Sequence, residues 1–265
     1  MKKYLRVTLL TIQEILTYRF NFFMLFFRNF VSLFALVVFW NAVYSGNQTL
    51  FGYQPSQIMS YVIGVAFLRS LVLSSKSADL AGQIRSGELS RMLSKPWNTV
   101  AYYLSRDVAD KVTSLIMSLT IVFIITKLFS LTLFFPTSIV VYLYIVITVI
   151  LSMLLYLYLS LTLSALGFWT EDIWATRWLF GIILLEFMAG VYFPIDILPK
   201  ILVTLFNLTP FPYLIYFPIK IWNQQIAISS AYQILLLQLF WLSFFYLAYR
   251  YLWRKGIKRY GACGG

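Results

Sequence analysis

The sequence predicts an all-α polytopic membrane protein, and three observations predict it. Hydrophobic residues make up 61% of the 265-residue chain and charged residues only 11%, against roughly 25% charged in soluble domains. The mean hydropathy is +0.81, and the apolar residues gather into runs near the roughly 20 residues that a helix needs to cross hydrocarbon. The basic residues behind the formal net charge of +12 are spread over the chain ends and loops, most of them at the two ends and in one interval between apolar runs, as topology and anionic lipid dictate. They form no patch interleaved with stacking aromatics, so membrane lipids are expected partners and nucleic acid is not.

Residues 1–19 predict a helix lying in the membrane surface. Leu5, Leu9, Ile12 and Leu16 share one helical face, while Lys2, Arg6, Gln13 and Glu14 lie elsewhere, the pattern of an interfacial amphipathic helix. Glu14 and Arg19 interrupt the apolar stretch and no small-residue cleavage site follows, so a signal peptide is not expected. Six spans are expected: Phe20 to Tyr44, Gln57 to Leu73, Val108 to Phe129, Thr137 to Phe168, Ile173 to Phe193 and Ala231 to Trp253. The fourth is longer than a crossing requires and has room to tilt. With no internal repeat and no linker long enough to separate soluble domains, residues 1–265 read as one membrane domain.

Between the second and third spans lies the charged interval Ser77 to Lys111. Leu89, Met92 and Leu93 recur there at helical spacing, with Glu88, Arg91 and Lys95 on other sides of the same short helix, and Pro96 stops it. Bilayer offers no partners for such charges, which makes the interval a platform outside the hydrocarbon. Residues 194–222 are different: apolar, yet holding Pro194, Pro199, Pro210, Pro212 and Pro218, five of the chain's eight prolines. A straight helix through them is excluded by lost backbone bonds and ring clashes. Two short helices, near Ile197 to Leu208 and Tyr213 to Trp222, are expected to dip into the outer leaflet and return.

Basic residues before the first span, in the charged interval and after the last span outnumber Lys127, Lys200 and Lys220 on the other side. The positive-inside rule therefore places both termini and the platform in the cytoplasm, for a multi-pass protein of the cell (inner or cytoplasmic) membrane.

The residue inventory excludes much chemistry. There is no His and one Cys, Cys263, which removes the commonest general base and any thiolate metal site. Gly82 and Gly87 have the spacing of a phosphate loop, but Glu88 and Leu89 follow where Lys and a hydroxyl are needed, so this chain holds no nucleotide. Glu186 lies inside the fifth span, where a carboxylate faces protein or a watery route. Arg28 lies at similar depth and is its leading partner; Arg69 is a second candidate, and either arginine can instead snorkel to the interface.

Two stretches together resemble the membrane permeases of type-two ATP-binding-cassette (ABC) exporters, the ABC-2 family transporter proteins. Ile84 to Asp107 is similar to their cytoplasmic loop, with Ile84, Arg85, Gly87, Leu89, Leu93 and Pro96 at the pattern positions. Phe193 to Pro218 is similar to their segment before the last span, with Phe193, Pro194, Leu198, Pro199, Leu208, Pro210, Phe211, Tyr213, Tyr216 and Pro218. The resemblance implies a permease that pairs with a second permease, a copy or a homologue, and with two separate ATPase subunits that carry the ATP and magnesium; no cofactor is expected on this chain. It implies that residues 77–107 are the coupling region, with Arg85, Glu88, Leu89, Arg91 and Leu93 docking on the ATPase. It implies that Pro194, Pro199, Pro210, Phe211 and Tyr213 belong to an outer gate.

The function expected on these grounds is ATP-driven export of an amphipathic or lipid-like substrate, with no catalytic residue on this chain. A lipid-modifying membrane enzyme is the second class, opposed by the lack of His and of clustered acids. A self-sufficient carrier is the third, opposed by the lack of repeated halves and of several intramembrane charges.

Overall fold

The computed structural model describes residues 2–45, 49–95, 97–170 and 184–260. Among them the chain is helical, with one isolated bridge, Leu50 to Tyr53, in place of any strand. The helices are α1 (Lys2–Thr17), α2 (Arg19–Val43), α3 (Pro55–Val72), α4 (Asp79–Arg85), α5 (Leu89–Leu93) and α6 (Thr99–Leu128). They continue with α7 (Ile139–Ala165), α8 (Leu184–Met188), α9 (Lys200–Asn207), α10 (Tyr216–Trp222) and α11 (Ile228–Arg259). Five of the described helices, α2, α3, α6, α7 with its terminal turn, and α11, are long and apolar enough to cross a membrane. Of the expected fifth span, Ile173 to Phe193, residues 173–183 lie outside the described residues; the described remainder holds α8 and a turn at Gly190.

Local chemistry sets the helix starts. Gln54 opens α3 with a reciprocal capping box, its backbone N–H donating 3.0 Å to Gln57 Oε1, and Pro55 takes the first helical position, where its missing N–H is no loss. Asn98 caps α6 by accepting from the Ala101 N–H at 3.1 Å. That cap corrects the expected start of the third span: α6 begins at Thr99, so residues 99–107 are the base of a continuous helix and not platform.

Contacts bring both described ends of the chain together. Thr8 Oγ1 donates to the Ser105 carbonyl at 3.0 Å, and the hydroxyls of Ser90 and Tyr260 lie 3.1 Å apart. The start of α1, the platform and the end of α11 therefore share one end of the bundle, the terminal end. On α1 the side facing α6 carries Val7 and Thr11, both buried, while Leu5, Leu9 and Leu16 on the other side stay exposed. The expected apolar face is thus left free for lipid.

Two cores result. The larger runs through α2, α3, α6, α7 and the proline-rich segment. The smaller lies at the terminal end, where Leu80, Ile84 and Leu89 of the platform meet Tyr103, Leu157, Leu161 and Tyr249. The most extensive pairing is α7 with α11, and their outer faces expose rows of Leu, Ile, Phe and Tyr that in water would be a liability but suit hydrocarbon.

Gly190 fixes the turn after α8. Its φ is +75°, and a Cβ there would stand 2.6 Å from Tyr61 Oη, the hydroxyl that donates to the Gly190 carbonyl at 2.6 Å. Gly190→Ala should therefore destabilise the chain by about 2 kcal/mol from strain at positive φ and the displaced tyrosine. An unchanged unfolding temperature in detergent would contradict this close approach.

Candidate functional site

A cavity of about 350 Å³ lies between α2, α3 and α6. Each helix gives it one face: Leu25, Arg28, Asn29, Ser32, Leu33 and Leu36 from α2; Val62, Val65, Ala66, Arg69 and Ser70 from α3; Asp110, Ser114, Met117, Ser118 and Ile121 from α6. The spacing of three, four and seven residues is that of a single helical stripe. Glu186 closes one side. Its carboxylate meets Arg69 Nη2 at 2.5 Å and accepts a second hydrogen bond from Tyr192 Oη at 2.8 Å. Glu186 is only 7% exposed, and two donors stand where water would otherwise meet its carboxylate.

This corrects the expected Glu186–Arg28 pair. Arg28 lines the same cavity but is exposed, and the pairing goes to Arg69. Equal depth is necessary for two charges to meet, but the faces must also converge, and it is α3, beside α6 and α2, that turns its arginine toward α8. Nearer the terminal end, Lys76 Nζ stands 3.7 Å from Asp110 Oδ1, Ser74 Oγ donates to Asp110, and Lys111 Nζ donates 2.6 Å to the Ser74 carbonyl. Asp107 accepts from the Lys76 N–H and Ser75 Oγ, each at 2.7 Å, which anchors the turn that leads from α3 into the platform.

The platform is two helices bent at Gly87, whose φ of +78° suits glycine. The short helix expected around Leu89, Met92 and Leu93 is α5, and α4 precedes it across the bend. Leu89 is fully buried against Leu80, Ile84 and Tyr103, which corrects its expected role as a docking knob: it holds the platform to its own bundle. Helical periodicity says that an apolar face is covered, not which chain covers it. Arg85, Glu88, Arg91 and Leu93 remain on the outside, with Leu93 41% exposed. Pro96 lies outside the described residues. Between α1 and the platform opens a cleft lined by Val7, Leu10, Glu14, Gln83, Glu88, Arg91, Met92, Lys95, Trp97 and Arg106. Arg106 stitches its walls, with Nη2 3.4 Å from Glu14 of α1 and Nη1 3.3 Å from Asp79 of α4.

At the opposite end the proline-rich segment folds as the sequence predicts, into short helices separated by prolines. Pro194 and Pro199 precede the turn Ile195–Ile197 and α9, and Pro210 precedes the turn that holds Phe211 and buried Tyr213. Asp196 in this segment accepts from Tyr53 Oη at 2.9 Å and from Lys220 Nζ at 2.6 Å, and the Lys220 ammonium lies over the Tyr53 and Tyr216 rings. Burial, with the Asp196 carboxylate second, pushes the Tyr53 phenol far above its ordinary value, so it remains a proton donor. Deeper in, Gln238 of α11 is fully buried and donates to the Tyr213 carbonyl at 2.8 Å and to Ser152 Oγ of α7 at 3.0 Å. Sequence reasoning missed Tyr53, Asp196, Tyr192 and Gln238; a Gln amid the apolar residues of a span was a legible signal, whereas the others sit in loops and turns where polar residues are ordinary.

A family model described as ABC-2 family transporter protein matches residues 30–264. A comparison with curated proteins finds no match.

Replacing one partner of the buried pair leaves the other charge unpaired, so Arg69→Met or Glu186→Gln should each destabilise the chain by about 3 kcal/mol, with the double variant recovering part of the loss. Additive losses in a thermal unfolding series would contradict the pairing. Asp196→Asn should lower stability by about 1 kcal/mol and raise proteolysis of residues 194–222 in the purified chain. An unchanged cleavage pattern would speak against this contact as a latch.

Proposed function

The chain belongs to the ABC-2 family of transporter proteins, a membrane permease of an ABC transporter, and from that membership we propose that it works as an exporter subunit. It moves an amphipathic or lipid-like substrate outward, driven by ATP and magnesium on separate ATPase subunits, and it pairs with a second copy or a homologue. The terminal end faces the cytoplasm, since Lys2, Lys3, Arg6, Arg91, Arg254, Lys255, Lys258 and Arg259 gather there.

One observation carries the reading: the platform is buried on its inner side by Leu89 and bare on its outer side at Arg85, Glu88, Arg91 and Leu93. An element fixed to the bundle and open outward is suited to receive a push from a docked ATPase. Through Arg106 the push reaches α1 and α6 together. From α6 it passes to the cavity walls, and the Asp196 latch, on the proline-rich segment, serves as the outer gate that the motion releases.

Co-purification from native membranes tests this, with Leu93→Asp compared with Leu89→Asp. Leu93→Asp should keep the wild-type unfolding temperature and lose the ATPase, because it alters only an exposed contact. Leu89→Asp should instead lower the unfolding temperature, because it places a charge in the chain's own core. If no ATPase accompanies the wild-type chain from native membranes that keep the assembly together, the exporter reading fails.

A further inference from the structure

The exporter reading leaves open what the permease holds, and the cavity between α2, α3 and α6 narrows the chemistry. We propose that this cavity binds an amphiphile with an anionic headgroup, the head against Arg28 and the chain along Leu33, Leu36 and Ile121. The inference rests on the exporter reading only for the direction in which the amphiphile moves.

The first support is a polarity gradient written in helix register. On α2, Arg28, Asn29 and Ser32 line the cavity toward the terminal end and Leu33 and Leu36 line it farther in. Helix α3 runs the other way and reverses the order, with Val62 and Val65 deep and Arg69 and Ser70 near the terminal end; α6 goes from Asp110 to Ile121. Leu25 and Leu73 also line the terminal-end part and Ser118 the deep part, but on all three helices the charged groups stand at one floor and none stands at the roof. A small hydrophilic solute has no use for the roof, and a hydrocarbon has none for the floor.

The second support is charge. Arg69 is taken by Glu186 and Lys76 by Asp110. Among the described residues no carboxylate stands within ion-pair distance of Arg28, which leaves one net positive charge on the floor. Arg28 sits nine residues from Arg19, the start of α2, about 14 Å along the axis, where a cation needs a counter-charge or water. Phe27 and Val31 beside it are exposed on the lipid side of α2, so an amphiphile reaches Arg28 from the bilayer without crossing the bundle. The volume of about 350 Å³ falls within the range of small-molecule sites, enough for a headgroup and the first part of a chain. A zwitterionic head would bring its own cation to the same floor, so it is discriminated against.

The test is lipid binding to the purified full chain, without any ATPase, by native mass spectrometry with phosphatidylglycerol, phosphatidylcholine and inorganic phosphate as probes. Phosphatidylglycerol should bind about tenfold more tightly than phosphatidylcholine, Arg28→Gln should erase the difference, and Arg28→Lys should keep most of it, at unchanged unfolding temperatures. Equal affinity for the two lipids, or a preference that survives Arg28→Gln, overturns the proposal. Displacement of the lipid by inorganic phosphate as readily as by phosphatidylglycerol also overturns it, since the site would then serve a small anion. Loss of lipid preference with ATPase co-purification intact sinks this inference alone, whereas preserved preference without any ATPase sinks the exporter reading alone.

Discussion

The arrangement of this chain depends on satisfying charge where there is no bulk water. The Arg69–Glu186 pair, 2.5 Å apart, is the place where the constraint is sharpest. Unpaired, either group would carry several kcal/mol of desolvation penalty, and paired they fix α3 to α8 just before the turn at Gly190. Tyr192 adds a second donor, and Tyr61 closes the turn by donating to the Gly190 carbonyl. A small polar cluster thereby ties together pieces of chain more than a hundred positions apart. It forms one wall of a cavity whose other walls are the open faces of α2 and α6.

The same requirement explains the two ends. At the terminal end, Asp107 and Lys111 satisfy the backbone where α3 gives way to the platform while Asp110 pairs with the Lys76 ammonium, and Leu80, Ile84 and Leu89 seat the platform on α7 and α11. At the other end prolines forbid a continuous helix, and the freed carbonyl of Tyr213 is taken up by Gln238 and Ser152. Irregular backbone at membrane depth is tolerated because protein side chains supply what water would. A platform packed on the bundle at one end and a segmented, proline-rich surface at the other are thus joined by continuous helices.

Much of the fold was legible because periodicity and length are strong signals in a membrane chain. The bounds of α2, α3 and α7 lie within about two or three residues of the expected runs, since hydropathy changes abruptly there. The base of α6 was not legible, because residues 99–107 are polar enough to read as loop and only the Asn98 cap reveals the start. The short helices of the proline-rich segment were legible from proline itself. The site was legible in part: Glu186 announced itself by its depth, but its partner depended on which face of which helix turns inward, and depth along the axis carries no such information. Leu89 and Leu93 illustrate the same limit, for both lie on the apolar side of one short helix while only Leu89 enters the core.

Coupling to ATP requires the bare face of the platform to lie on the cytoplasmic side of the membrane. The most direct measurement uses Leu93→Cys in a chain carrying Cys263→Ser, labelled with a membrane-impermeant maleimide in intact cells and in permeabilised ones. A cytoplasmic platform predicts no labelling in intact cells, labelling after permeabilisation, and protection when the ATPase is present. Labelling of intact cells would place the platform outside and contradict the coupling of this permease to ATP.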